Sequence, residues 1–198
     1  MITPAPVTLE GRHVRLEPLS LAHLPALAEV GLDPELWQWT LTQVASVAHL
    51  ERYVRDALDG RAAERAVPFA NVALGAGRAV GSTRYASISV PDGRLEIGWT
   101  WVGRAHQRTA VNTEAKYLML RHAFDALGCT RVEFKTDALN ARSRAALLRI
   151  GAVEEGTFRR HMRTQGGRLR DSVYFSVVDA EWPAVRARLE ARLDAAVP

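Results

Sequence analysis

The chain has a single cysteine, Cys129, which rules out an internal disulfide and a cysteine-based metal cluster. That thiol follows Gly128 at the start of a segment that reads as a strand, and it is expected to act as a small buried hydrophobe rather than a nucleophile. No run approaches the roughly 18 apolar residues of a membrane-spanning helix. The first residues lack the basic, apolar and cleavable pattern of a secretion signal, so the expected location is the cytoplasm. Both familiar phosphate-binding signatures are missing: no glycine-rich run ends in Gly-Lys-Ser/Thr, and no G-x-G-x-x-G closes a first strand. There is no repeat, linker or low-complexity segment. Lysine is almost absent too, since of 26 basic residues only Lys116 and Lys135 are lysines.

What remains is ordinary for a globular protein, with 47% hydrophobic and 24% charged residues. A length of 198 residues suits one domain, 1–198, with a sizeable core. The net charge of +4 permits anionic partners such as phosphates, an acidic substrate or nucleic acid. Arg159, Arg160, His161, Arg163, Arg168 and Arg170 cluster in sequence, yet no aromatic-interleaved or helix-turn-helix pattern accompanies them. A solvated hairpin rim is therefore expected, with an RNA or ribosomal surface as the minority alternative.

Hydrophobic periodicity gives the elements. Val14 and Leu16 mark a first strand, Ser20 caps a helix through about Val30, and a second helix follows Ser46. Strands are predicted at 69–74 and 79–90, separated by Gly75-Ala76-Gly77, and another at 95–102 after the Pro91-Asp92-Gly93 turn. A helix from Asn112 stops at Gly128, a strand covers 131–136, and Asn140 caps a helix that ends at Gly151. Phe158 and 173–178 form a last antiparallel pair joined through Gly166-Gly167, and a helix covers 181–195. Antiparallel strands interrupted by helices make an α+β domain.

The segment Gln107-Arg108-Thr109-Ala110-Val111-Asn112-Thr113-Glu114-Ala115-Lys116 is the most informative. It reads as a turn between a half-buried strand and an amphipathic helix. Such a helix start offers unpaired N–H groups and the positive end of its dipole, here with Arg104 and Arg108 alongside, which suits a pyrophosphate.

With its flanking motifs, this segment resembles the GNAT superfamily of acyl-CoA-dependent N-acyltransferases over nearly the whole chain. The similarity is strongest to the ribosomal-protein N-terminal acetyltransferase-like branch. The opening Leu9-Glu10-Gly11-Arg12-His13-Val14-Arg15-Leu16-Glu17-Pro18-Leu19 and the ending Arg170-Asp171-Ser172-Val173-Tyr174-Phe175-Ser176 fit that branch. So do Asn140-Ala141-Arg142-Ser143-Arg144, Gly151-Ala152 and Glu155-Gly156 in between. The pyrophosphate loop departs from the usual Gln/Arg-x-x-Gly-x-Gly/Ala by carrying Ala110 and Asn112 at the small positions.

The resemblance implies a mixed, mainly antiparallel central sheet flanked by helices, with a splayed strand pair that admits acyl-CoA. It implies acetyl-CoA as cosubstrate, no metal, and an amine acceptor, either a protein N-terminus or a small molecule. It implies no membrane partner and allows a homodimer. Backbone groups of Trp99, Thr100, Trp101 and Val102 would bind the pantetheine amides, and Gln107, Arg108, Thr109, Ala110, Val111, Asn112 and Thr113 the pyrophosphate. Asn140 would contact the pantetheine arm, and Ser143 the thioester sulfur, where its hydroxyl would protonate the leaving thiolate. Without the resemblance, Asn140 and Ser143 read simply as a helix cap and a first-turn residue.

Glu96 is the candidate general base. A free carboxylate is a weak one, so this role asks for partial burial, and the competing expectation is an ion pair with an arginine. Trp37, Trp39, Arg84 and Tyr85 are candidates to line the amine site. Trp99 and Tyr117 are expected in the core, Tyr174 is a second candidate acid, and Asp171 a candidate to orient substrate. Two other functions stay open at this point: a CoA-binding module without turnover, suggested by Ala110 and Asn112, and an arginine-rich ribosome- or RNA-binding protein, whose binding would be steeply salt-dependent.

Overall fold

The protein is described by a computed structural model, in which residues 2–195 are described. Among the described residues eight strands form one sheet: β1 (Leu9–Glu10), β2 (Val14–Pro18), β3 (Val67–Ala73), β4 (Arg78–Ser89), β5 (Arg94–Val102), β6 (Arg131–Asp137), β7 (Val153–Arg163) and β8 (Leu169–Val178). Their order is β1-β2-β3-β4-β5-β6-β8-β7, and every pairing is antiparallel except β5 with β6. The helices are α1 (Leu24–Gly31), α2 (Val47–Ala62), α3 (Ala110–Arg121), α4 (Ala141–Ile150) and α5 (Trp182–Asp194). This is the mixed, mainly antiparallel fold expected from the motifs.

Strand alternation sorts side chains into two layers. Phe69, Tyr85, Leu95, Ile97, Val132, Phe134, Val173 and Phe175 point to one face and pack under α3 and α5. Ala70, Val72, Ala79 and Trp101 point to the other, where Leu27, Leu50, Tyr53, Val54 and Ala57 of α1 and α2 cover them. The α1–α2 layer draws on β3, β4 and the end of β5 only. The alternate positions Arg94 and Glu96, Arg131, Glu133 and Lys135, and Tyr174 are thus left lining an open trough.

Local chemistry sets the boundaries. Ser46 accepts the His49 amide at 3.2 Å to start α2, and Gly151 ends α4 at φ 101°. Helix α3 begins two residues before Asn112, because the Thr109 hydroxyl takes the cap position and accepts from the Val111 amide at 3.3 Å. Ser20 precedes a short turn of 3₁₀ helix, so α1 proper begins only at Leu24, next to Pro25. Glu114 is 3% exposed and accepts the amides of Arg12, His13 and Val14 at 2.8, 2.6 and 2.8 Å, which pins α3 to the β1–β2 turn. A Cβ at Gly11 would stand 2.4 Å from the Glu114 carboxylate, so the close approach needs a glycine there.

Candidate active site

β5 and β6 run side by side for three residues, from Arg94 against Arg131 to Glu96 against Glu133, and then part. A bulge diverts β5: Arg84 pairs with Gly98 and Ser82 with Trp101, so β5 carries one residue more than β4 between them. Trp99 adopts φ 49° at this bulge. From Ile97 to Val102 the β6-facing edge of β5 has no strand partner among the described residues, which leaves backbone groups to be met by something other than protein strand.

Glu96 lies where the strands divide and is 4% exposed. Its Oε2 accepts from the Ser87 hydroxyl at 3.0 Å and from Lys135 Nζ at 3.2 Å. Its partner is therefore a lysine and not an arginine. Ser87 reaches it from a second irregular position, φ 49° on β4. Oε1 lies over Gly98, where an added Cβ would come within 2.8 Å, and has no hydrogen-bond partner among the described residues. On the trough side, Arg131 holds Glu133 at 2.9 Å and Glu155 at 2.7 Å, so these two carboxylates are already neutralised. The trough measures about 730 Å³, and Phe158 and Tyr174, 4.8 Å apart by ring centroid, form its apolar end.

At the other end of the gap the chain turns into α3. Thr109 donates to the His106 carbonyl at 2.8 Å while capping the helix, and Arg108 takes φ 62°. The amides of Ala110 and Asn112 belong to the first turn of α3 and have no intrahelical partner. Gln107 ties β5 to α4 across the gap, donating to the Val102 carbonyl at 3.0 Å and accepting from Arg142 at 2.9 Å. Arg104 is held by Asp33 at 2.9 Å and Glu35 at 2.7 Å, whereas Arg108 has no ion pair among the described residues. A cavity of about 50 Å³ opens between α3 and α4, lined by Asn112, Thr113, Lys116 and Leu147. The Asn112 Oδ1 is buried without a partner among the described residues. Unpaired amides, an orphaned carbonyl and an unpartnered strand edge together suit a long, amide-bearing anion such as CoA.

Asn140 caps α4 through Oδ1, which accepts the Ser143 amide at 3.0 Å, and the Ser143 hydroxyl has no partner among the described residues. Trp39 is half-buried with Arg168 over its ring at 5.6 Å, and Arg168 also pairs with Asp137. Arg84 is 7% exposed, lies over the rings of Tyr53 at 5.1 Å and Trp99 at 5.0 Å, and its Nε has no partner among the described residues.

Two of the candidates for the amine site are not free to line it. Trp37 is 3% exposed, packs on Tyr53 and Trp101, and donates its indole N–H to the Gly31 carbonyl at 2.7 Å. Tyr85 is fully buried and donates to the Met119 carbonyl at 2.7 Å. Trp99, expected in the core, is instead 38% exposed, because the bulge turns it outward. Tyr117 packs at the core margin and donates to Glu190 at 2.8 Å, and Asp171 accepts the Arg160 amide at 2.6 Å. Burial pushes the Cys129 thiol up to about 11, consistent with an inert hydrophobe.

Lys116, Lys135 and Ser87 were not among the candidates. Lys116 Nζ donates to the Thr100 hydroxyl at 2.8 Å, and Thr100 lies 2.7 Å from the Thr83 hydroxyl. Burial lowers the Lys116 amine to about 7 against the opposing pull of Glu96. The signal that could have found both lysines was their rarity.

The model of the family described as Acetyltransferase (GNAT) domain matches residues 13–153. Over 89 residues the chain is 33% identical to "Putative ribosomal N-acetyltransferase YdaF" of Bacillus subtilis, covering 45% of this chain and about half of that relative, 48%. The crystal structure of a GCN5-related N-acetyltransferase from Brucella melitensis is 33% identical, with a TM-score of 0.88 over 96% of this chain and 86% of that one. Mycobacterium smegmatis RimJ, solved in complex with CoA-disulfide, shares the fold at 23% identity, with a TM-score of 0.81 over 94% of this chain and 95% of its own.

Proposed function

Because this chain belongs to the GNAT acetyltransferase family, we propose that it transfers an acetyl group from acetyl-CoA to the α-amine of a polypeptide N-terminus. The observation that carries this is the position of Glu96, buried at the floor of the open trough where β5 and β6 part.

Acetyl-CoA supplies an activated thioester. The protein's part is to hold it, to admit a neutral amine, and to manage the protons. The first-turn amides of α3 with Arg108 and Thr109 hold the pyrophosphate, and Asn112 and the free edge from Trp99 to Val102 hold the pantetheine arm. Asn140 and Ser143 meet it from α4. On the opposite side of the sheet the acceptor lies in the trough between Glu96 and the Phe158–Tyr174 end. Glu96 Oε1, the oxygen that Ser87 and Lys135 leave free, takes the amine proton directly or through one water.

An α-amine suits such a base. With a pKa of about 7.7–8.0, about a third of the groups are already neutral at pH 7.5, against about one lysine in a thousand. The name of the Bacillus relative, a ribosomal N-acetyltransferase, agrees with a protein acceptor. Thiol release tests the proposal directly. A peptide with a free N-terminus should be turned over and the same peptide with a blocked N-terminus but free lysines should not. Glu96→Gln should lower kcat by about 100-fold, the low end of what general bases contribute, while leaving CoA affinity unchanged. Equal rates on both peptides would refute the acceptor, and an unaltered rate in Glu96→Gln would refute the base.

A further inference from the structure

We propose that Lys116 is the proton donor to the departing CoA thiolate, an assignment that rests on the acetyl-transfer reading above. Three independent observations carry it.

The first is composition. Twenty-four of the 26 basic residues are arginine, which never gives up its proton in a protein, and both lysines bond to β5 side chains, Lys135 to Glu96 and Lys116 to Thr100. Lys135 pairs with Glu96 directly. Lys116 approaches from the other side of the sheet, from α3.

The second is geometry. On the α3 face of the sheet Lys116 Nζ meets both parted strands, bonded to Thr100 on β5 at 2.8 Å and 5.6 Å from the Phe134 ring on β6. One turn earlier on the same helix, Asn112 carries a buried carbonyl with no partner among the described residues, and the two side chains line one cavity against α4. A ligand that satisfies Asn112 and threads the gap passes the Lys116 amine.

The third is electrostatic. Among the described residues the only hydrogen-bond partner of the ammonium is a neutral hydroxyl, and no ion pair matches its charge. Charged groups around it are Glu96 on β5, with its partner Lys135 on β6, Arg149 on α4 and Arg192 on α5. Burial dominates and brings the amine to about 7, where ammonium and amine coexist at neutral pH. An acid of that strength gives its proton downhill to a thiolate, whose conjugate acid has a pKa of about 8.5.

The step balances. The amine nitrogen forms a bond to the acetyl carbon as the C–S bond breaks. One proton leaves the amine for Glu96, the sulfur keeps the bonding pair, and the thiolate takes one proton from Lys116. Product release and exchange with solvent then restore the Glu96 carboxylate and the Lys116 ammonium.

Two lysines make the test clean. Protein labelled with lysine-ε-¹³C gives two side-chain signals, and Lys135→Arg assigns them. The Lys116 signal should titrate near pH 7 and shift when free CoA is added. A midpoint near the ordinary lysine value of about 10.4, or no response to CoA, would overturn the proposal. In kinetics, wild-type kcat should fall as pH rises through the Lys116 midpoint, because the acid is lost. Lys116→Met, which keeps the unbranched stem, should lower kcat about 100-fold, abolish that limb and leave CoA affinity nearly unchanged. Turnover by the wild type with an unaltered rate and profile in Lys116→Met would overturn the role of Lys116 alone. Absence of amine-dependent thiol release from the wild type would overturn the acetyl-transfer reading itself.

Discussion

Replacing Glu114 by alanine removes one carboxylate and strands three amides about 100 residues away in sequence. Val14 N–H is buried, and the Arg12 and His13 amides are partly buried. A hydrogen bond to a charged acceptor contributes about 1.5–3 kcal/mol, and an orphaned buried donor costs about 1–3 kcal/mol. Water can reach the Arg12 and His13 amides once the side chain is gone, which limits each of those losses to about 1 kcal/mol. Val14 bears the full cost of about 2–3 kcal/mol. Removing the carboxylate also recovers part of its own desolvation, so the net loss is about 3–4 kcal/mol. For a chain of this size each kcal/mol lowers Tm by about 2–4 °C, giving a drop of about 6–16 °C by circular dichroism. Glu114→Gln keeps the shape and one accepting oxygen and should lose about half as much. Since Glu114 sits on α3 just past the anion-binding turn, calorimetry should also show weaker CoA binding in the alanine variant. A Tm within 2 °C of wild type (about 1 kcal/mol or less) would refute the anchor.

Gly98→Ala should fold but lose most activity, because its Cβ meets Glu96 Oε1 at 2.8 Å and displaces the carboxylate; wild-type kcat would contradict this. Asn112→Asp places a negative charge where CoA is held and should weaken CoA binding at least tenfold by calorimetry, about 1.4 kcal/mol; unchanged affinity removes Asn112 from the site. Lys116→Met should also stabilise the protein. With the folded amine at about 7 and the unfolded one at about 10.4, the wild type carries its full penalty below pH 7 and loses it as pH rises through 10. The gain in urea unfolding should be roughly 2–4 kcal/mol at pH 7 and vanish near pH 10, and a gain independent of pH would refute the burial argument.

Much of the frame was legible because it rests on local chemistry. The Asn140 cap, the Gly151 stop and the turn into α3 are written within a few residues each, and the structure follows them. The location of Glu96 on the strand before the turn was legible for the same reason. Its partner was not, since Lys135 lies 39 residues away and becomes a neighbour only through the short parallel pairing of β5 with β6. The aromatics misled in both directions. Trp37 lies between helices in sequence, yet packing against Trp101 and Tyr53 closes it into the α1–α2 layer. Trp99 sits in an alternating strand pattern, yet a one-residue bulge reverses its direction, and no residue type announces that bulge. No local pattern marks the role of Glu114, because the amides it accepts lie about 100 residues earlier, in the β1–β2 turn.

The most direct test of the account is mass spectrometry of a peptide incubated with the protein and ¹³C-acetyl-CoA, with free thiol counted in the same reaction. The account predicts one labelled acetyl group on the α-amine, none on lysine side chains, and one thiol released per acetyl transferred. Thiol release without labelled peptide, label confined to lysine side chains, or no reaction with any free N-terminus would contradict it.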